Sequence, residues 1–282
     1  MIPVAFDYLR PSTVDEALTA LRDAGDDAKV LAGGQSLVPV LRLRMAAPAL
    51  LVDLGGVAEL RGVRDDGDAI VIGAMTTHAT VAAHPLVAEH APLLAQAAAG
   101  IGDRQVRHLG TLGGSLAHAD PAGDLPAVAR ALDATFVVAG AGGRRSVAAA
   151  EWPVDYFTTA LAPDEVLVEV RVPKYAGWGA RYEKFHRTAQ AWAIVGVAAL
   201  VRRDNGKIAE ARVALTNMGP TPVRAAEVER ALAGADSTAE AVQAAAGRAA
   251  DGTEPPSDLS GSAEYRAHLA RVLTARAVLA AL

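Results

Sequence analysis

Residues 12–25, STVDEALTALRDAG, read as a first helix, with Thr13 and Glu16 in a capping box and Gly25 as the stop. Short apolar runs at AKVLA (28–32) and LLVDL (50–54) predict buried strands. The first ~55 residues thus form a strand–helix–strand unit, with a glycine pair at the mouth of one connection. AIVIGAM (69–75) predicts a further strand, and LVAEHAPLLAQAAAG (86–100) a helix bent or started by Pro92. After a glycine-dense passage at 110–123, Asp124 and Pro126 open a helix through Leu132. ATFVVAG (134–140) pairs with RRSVAAA (144–150) across a glycine-rich turn. VLVEVRV (166–172) alternates, which places Val166, Val168, Val170 and Val172 on one face.

The pattern changes at PKYAGWGA (173–180), the expected domain boundary. Three long strands are predicted beyond it, at 179–187, 193–203 and 207–217, the last two joined by an Asp-Asn-Gly hairpin. Helices follow at 222–233 and 238–250, then a Pro/Ser linker, GTEPPSDLSGS (252–262). A closing helix is expected to bury Tyr265, Leu269, Val272 and Leu273. The fold class is α+β with an antiparallel second domain.

Composition narrows the chemistry. The 282 residues are 51% hydrophobic, enough for a sizeable core, and the net charge of −5 gives no electrostatic footprint for nucleic acid. Cysteine is absent, so disulfides, thiolate zinc sites and iron–sulfur clusters on this chain are excluded. Any redox metal must therefore sit on another molecule. The longest apolar run, AIVGVAALV (193–201), is strand-length, and the start, MIPVAFDYLRPSTVDEAL, lacks a secretory pattern. A cytoplasmic protein is expected.

Two glycine motifs hold the candidate chemistry, AGGQS (32–36) and LGGSL (112–116), about 80 residues apart. Glycine lets the backbone approach a ligand, and successive amides in such turns form anion-holding concavities. Gln35, Ser36, Thr111 and Ser115 add neutral donors. A diphosphate suits two such loops facing each other, while a tight turn is the bland reading of either one, since doublets also occur at 55–56 and 142–143. Neither motif is a Rossmann fingerprint, a P-loop or a nucleophile elbow. HADPAGD (118–124) offers His118, Asp120 and Asp124 as metal ligands, but prolines and glycines separate them. A loop in which Asp124 caps a helix fits better. Arg104, Arg107 and His108 read as a solvated face or a docking surface, and no nucleophile–base constellation occurs.

DAKVLAGGQSLVPVLRLRMAAPALLVDL, followed by IGDRQVRHLGTLGGSLAHADPAGDLPA, resembles the flavin-binding medium subunits of the molybdenum hydroxylases, in their carbon monoxide dehydrogenase branch. The resemblance continues through RYEKFHRTAQAWAIVGVA and VRVALTNMGPTPVRA to the last helix. It implies a two-subdomain FAD-binding domain of the PCMH or vanillyl-alcohol-oxidase type over 1–175, divided near residue 55. A C-terminal domain of three antiparallel strands with helices would occupy 176–282. It implies non-covalent FAD, with Ala32, Gly33, Gly34, Gln35, Ser36 and Leu37 as the first diphosphate loop and Thr111, Gly113, Gly114 and Ser115 as the second. Lys29 would meet the adenine end, Asp124 a ribose or ribityl hydroxyl, and Leu161, Lys184 and Trp192 the isoalloxazine. Departures from the family pattern fall at Gln35, Ser115 and Trp192. The implied partners are an iron–sulfur small subunit and a molybdenum large subunit in a dimer of heterotrimers. [2Fe–2S] clusters and the molybdenum cofactor would sit only on those partners. An external acceptor such as a quinone would take the electrons, with at most peripheral contact to the inner membrane face. A flavin subunit of an aldehyde, purine or N-heterocycle hydroxylase, a stand-alone flavin oxidoreductase and an assembly protein that has lost the cofactor are the other readings.

Overall fold

The computed structural model describes residues 1–282. The chain opens with β1 (Asp7–Leu9), α1 (Val14–Ala24), β2 (Ala28–Leu31), α2 (Leu37–Arg42) and β3 (Leu50–Asp53). β1 and β2 both pair in parallel with β3, in the order β1-β3-β2. Parallel pairing needs crossovers, which α1 and the α2 segment supply. Thr13 caps α1 through its hydroxyl, but Glu16 reaches back to Ser12, one residue further than a capping box requires. β2 is half-buried, not buried, because only α1 covers this small sheet.

Next come β4 (Val63–Asp66), β5 (Ala69–Gly73) and six helices: α3 (His78–Ala83), α4 (Pro85–His90), α5 (Pro92–Ala99), α6 (Arg104–Leu109), α7 (Leu112–His118) and α8 (Asp124–Ala131). The glycine-dense passage is therefore largely helical. Pro85 and Pro92 each open a helix, so the 86–100 segment is two helices that meet at Ala91. Strands β6 (Thr135–Gly140), β7 (Gly143–Ala148), β8 (Pro153–Asp155), β9 (Thr158–Thr159) and β10 (Val166–Pro173) follow. The main sheet is antiparallel, in the order β4-β5-β10-β6-β7.

β10 corrects the expected valine face. A bulge between Leu167 and Glu169 shifts its register against β6. Val166 and Val168 consequently pack with α1 and β3, whereas Leu167, Val170 and Val172 pack with the helical layer on the opposite side.

The C-terminal part holds β11 (Gly179–Phe185), β12 (Val195–Asp204), β13 (Lys207–Thr216) and β14 (Val223–Arg224), then α9 (Ala226–Leu232), α10 (Ala239–Ala246) and α11 (Ala263–Ala280). The three long antiparallel strands gain a two-residue fourth, β14, at residues expected to begin a helix. Val195, Val197, Ala199 and Val201 face α9–α11, while Ala198 and Leu200 face α8. Both faces of β12 are covered, which explains its unbroken apolar run. The buried stripe of α11 is Arg266, Leu269, Ala270, Leu273, Thr274, Ala277 and Val278; Tyr265 points outward and Val272 is only half-buried. No helix is long and apolar enough to cross a membrane.

The layers run from α1 and the parallel sheet, through the main sheet, to α3–α8, then the C-terminal sheet and α9–α11. Side-chain bonds lock this order. Arg212 bonds Asp133 and the Tyr175 hydroxyl and lies 5.3 Å from the Trp178 ring centroid. Arg224 bonds Asp133 at 2.8 Å and the Arg130 carbonyl at 3.1 Å. Buried Trp152 lies edge-on to Phe136 and donates to the Leu116 carbonyl of α7 at 2.9 Å. Trp152→Phe leaves that carbonyl without its donor and opens space beside α7. We expect a loss of about 2 kcal/mol, read from urea unfolding.

Candidate functional site

Gly33 and Gly34 end β2 and lead into α2. Gly34 has φ +71°, which a side chain tolerates poorly. A Cβ on Gly33 would overlap the Leu109 carbonyl and come 2.6 Å from Gly110 Cα. Across the contact, a Cβ on Gly114 would stand 3.4 Å from the Ala32 methyl. The two glycine segments therefore meet, backbone to backbone.

Their hydrogen-bonding states differ. The amides of Gly33, Gly34, Gln35 and Ser36 donate to no other group of the chain, whereas the Gln35 side chain donates to the Gly33 carbonyl at 3.0 Å. In the second segment every first-turn amide is occupied. Leu112 donates to Thr76 O, Gly113 to Ala74 O, Gly114 to the Thr111 hydroxyl at 3.1 Å, and Ser115 to Thr111 O. LGGSL is thus the first turn of α7, capped by Thr111, and not a free loop. Gly113 is buried, and a Cβ there would stand 2.5 Å from the Ala74 methyl, so packing fixes this glycine. Gly114 and Ser115 are the half-buried members of this segment.

Asp124 stands beyond α7, at the first position of α8. Gly123 is the N-cap and makes no side-chain bond, so Asp124 does not cap the helix as expected. Instead both carboxylate oxygens reach β11: the Tyr182 hydroxyl donates to Oδ1 at 2.6 Å and Lys184 Nζ to Oδ2 at 2.8 Å. The pair is buried, with side-chain exposures of 9% for Lys184 and 4% for Asp124. Desolvation and the neighbouring carboxylate push the Tyr182 phenol well above its ordinary range, so it stays a donor. Gly196 on β12 makes this possible, since a Cβ there would stand 2.5 Å from the phenol oxygen. Tyr182 was absent from the expected site. The strand period supplied its signal, because residues two apart share a face and Lys184 was already in view.

The other expected residues are more dispersed. Lys29 is exposed on β2 and close enough to His118 for its charge to oppose protonation there, secondary to burial. His118 tilts against Phe157 at 5.1 Å between ring centroids. Asp120 accepts from the Ala122 amide, and burial raises its carboxyl. No group of three His, Asp or Glu side chains is placed to hold a metal ion. Leu161 is half-buried against the helical layer. Trp192 is 55% exposed on the loop between β11 and β12, whose Gln190 bonds Asp103, the N-cap of α6. Arg107 is turned inward, donating to the Ile101 and Gly102 carbonyls, while Arg104 and His108 are exposed.

Removing one partner of the buried pair strands the other. Lys184→Met is expected to destabilise the chain by about 3 kcal/mol, and adding Asp124→Asn should recover part of the loss; denaturant curves of the three variants measure both. His78, buried beside Gly110 with Nδ1 unpartnered, gives a pH signature. Burial first, and the Arg107 charge second, lower its pKa from 6.5 to about 4. The neutral ring folds, so its stabilisation is present above pH 6.5 and is lost as pH falls through about 4. Up to about 3 kcal/mol is involved. His78→Leu should flatten the melting temperature between these limits.

Comparison with known proteins identifies the family. Residues 4–175 match the FAD binding domain in molybdopterin dehydrogenase, and residues 180–281 the CO dehydrogenase flavoprotein C-terminal domain. The chain is 44% identical over 282 residues to the carbon monoxide dehydrogenase medium chain of Hydrogenophaga pseudoflava, covering 100% of this chain and 98% of that one. It is 41% identical to the 6-hydroxypseudooxynicotine dehydrogenase complex subunit alpha of Paenarthrobacter nicotinovorans, covering 100% and 96%. A solved structure of the Hydrogenophaga pseudoflava carbon monoxide dehydrogenase, lacking the Mo-pyranopterin moiety of the molybdenum cofactor, superposes with TM-score 0.97 at 46% identity, covering 100% of this chain and 98% of that one. With both matched regions in order along the whole chain, it belongs to the family of FAD-binding medium subunits of molybdenum hydroxylases, of the CO dehydrogenase flavoprotein type.

Proposed function

We propose that this chain is the electron-transfer flavoprotein of a carbon monoxide dehydrogenase complex, with FAD held non-covalently where the two glycine segments meet. The run of unpaired amides from Gly33 to Ser36 carries this reading. Consecutive backbone donors suit a diphosphate, and the chain's own chemistry leaves them no other acceptor. Ala32 and Leu37 flank that run, with Thr111, Gly114 and Ser115 opposite; Gly113 acts by packing. Lys29 would take the adenine side, and Asp124, Leu161, Lys184 and Trp192 the ribityl and ring side.

When bound, the flavin supplies conversion between one-electron and two-electron transfer. This chain's residues bind and orient it. Lys184 Nζ bonds one oxygen of Asp124, and Tyr182 keeps its proton while fixing the other. Neither task needs a nucleophile or a general base. Single electrons would arrive from [2Fe–2S] clusters on an iron–sulfur small subunit, themselves fed by a molybdenum large subunit, in a dimer of heterotrimers. An external acceptor such as a quinone would receive them, at the cytoplasmic face of the membrane without insertion.

A second substrate class is favoured by the similarity to the nicotine-derivative dehydrogenase subunit, 41% against 44%. The chain co-produced with its two partner subunits and supplied with carbon monoxide should bleach its flavin. Failure to bleach with carbon monoxide, alongside bleaching with an aldehyde or N-heterocycle, selects the second class. Gly114→Val in the same complex, where the side chain would crowd Ala32 and Thr111, should weaken FAD retention at least about tenfold with assembly intact. FAD content after desalting measures this; stoichiometric FAD in that variant would remove α7 from the site.

A further inference from the structure

The loop of residues 186–193 is exposed through most of its length, yet its base rests on buried polar groups. Ile194 N donates to the Phe185 carbonyl at 2.8 Å and closes it. Two carbonyls on the returning side are then held from below. Asn217 Nδ2 donates to Ala193 O at 2.8 Å and to Ile194 O at 3.3 Å. Arg266 Nη1 donates to the same Ile194 carbonyl, and its Nη2 to Asp258 at 2.7 Å.

The two donors occupy unusual places, a buried helix stripe and a left-handed backbone position. Arg266 lies on the apolar stripe of α11 with no exposed surface, and its Nε has no partner. A guanidinium is almost never fully buried, and an unpaired N–H there carries a desolvation penalty. Apolar residues would fill the same space more favourably, so the stripe itself gives no reason for an arginine. What the arginine supplies is a donor directed at Ile194 O. Asn217 has φ +62°, a conformation that asparagine tolerates better than most residues. Its backbone N–H donates to Pro121 O at 2.9 Å, in the turn that leads to Asp124. One residue thus grips the loop with its side chain and the Asp124 turn with its backbone.

We propose that Asn217 and Arg266 are positioning residues that fix the 186–193 loop, and with it Trp192, relative to the Asp124 turn. The inference rests on the reading of Trp192 as a ring-side residue of the flavin site. Gln190 holds the loop's middle through Asp103, and the two clamps from different elements define its return at adjacent carbonyls, next to Trp192.

Trypsin cleavage after Arg187 in the full-length chain reads the loop directly, with or without FAD. Asn217→Gly keeps the left-handed backbone and removes the side-chain donors; Arg266→Met keeps much of the volume and removes the guanidinium. Each should accelerate the Arg187 cut about tenfold relative to cuts elsewhere, the factor expected from losing a buried hydrogen bond that protects a local opening. Arg266→Lys, which returns a cation toward Ile194 O, should recover much of the protection. In the three-subunit complex, both disruptive variants should shift the flavin midpoint potential while FAD content stays at the wild-type level. An unchanged Arg187 rate in both variants, or acceleration equal at every site, overturns the clamp. A faster cut with an unmoved potential overturns its link to Trp192. Failure of the flavin reading looks different: a wild-type complex without FAD.

Discussion

The carboxylate of Asp124 joins the two halves of this molecule at the place where they matter to each other. It sits at the positive end of α8, in the helical layer, and both of its oxygens are engaged by β11 of the C-terminal sheet. Such a buried pair adds little net stability over an apolar contact of similar shape, because desolvation offsets most of the attraction. It contributes geometry instead. A phenol on one oxygen and a lysine amine on the other fix the carboxylate's rotation and set the C-terminal sheet against α8. Gly196 belongs to the same device, since any side chain there would displace the phenol.

The glycine segments divide their labour in a way that motif inspection does not reveal. Written as AGGQS and LGGSL they look equivalent. In space the first has open amides and the second has none, because α7 is capped by Thr111 and tied to Ala74 and Thr76. Three of the four glycines serve close approach: Gly33 against the Leu109–Gly110 backbone, Gly113 against Ala74, and Gly114 toward Ala32. Gly34 serves conformation. Two backbone segments lie against each other, and one of them keeps its amides unpaired.

The elements with strong periodicity were legible in the sequence, including α1, β5, β6, β7 and the β12–β13 hairpin. Short elements without a period were not. β1, α6 and α7 are too brief to carry one, and α7 places glycines where helix propensity is poor. The valine face of β10 failed because a bulge leaves no mark on the alternation. Arg266 escaped because a charged residue in a helix reads as exposed unless its partner is known, and Ile194 lies 72 residues away. The site followed the same division. The glycines announced themselves by composition, whereas the Tyr182–Asp124–Lys184 contact required tertiary structure to bring positions about 60 apart together.

Electron transfer asks a protein for placement more than for acid–base groups. A subunit that conveys electrons must hold a ring at a fixed distance and in a fixed field, and the rate depends on placement more than on proton movement. Rigid supports serve that end. The amide run follows a paired strand, Asp124 opens a helix packed between α5, α7 and the C-terminal sheet, and the Trp192 loop leads into β12, whose buried length is apolar on both faces. Ordered elements position groups more sharply than free loops do. The exposed 186–193 loop has a base that carries a buried arginine and a left-handed asparagine. Where regular secondary structure ends, side-chain donors take over the work of fixing the backbone.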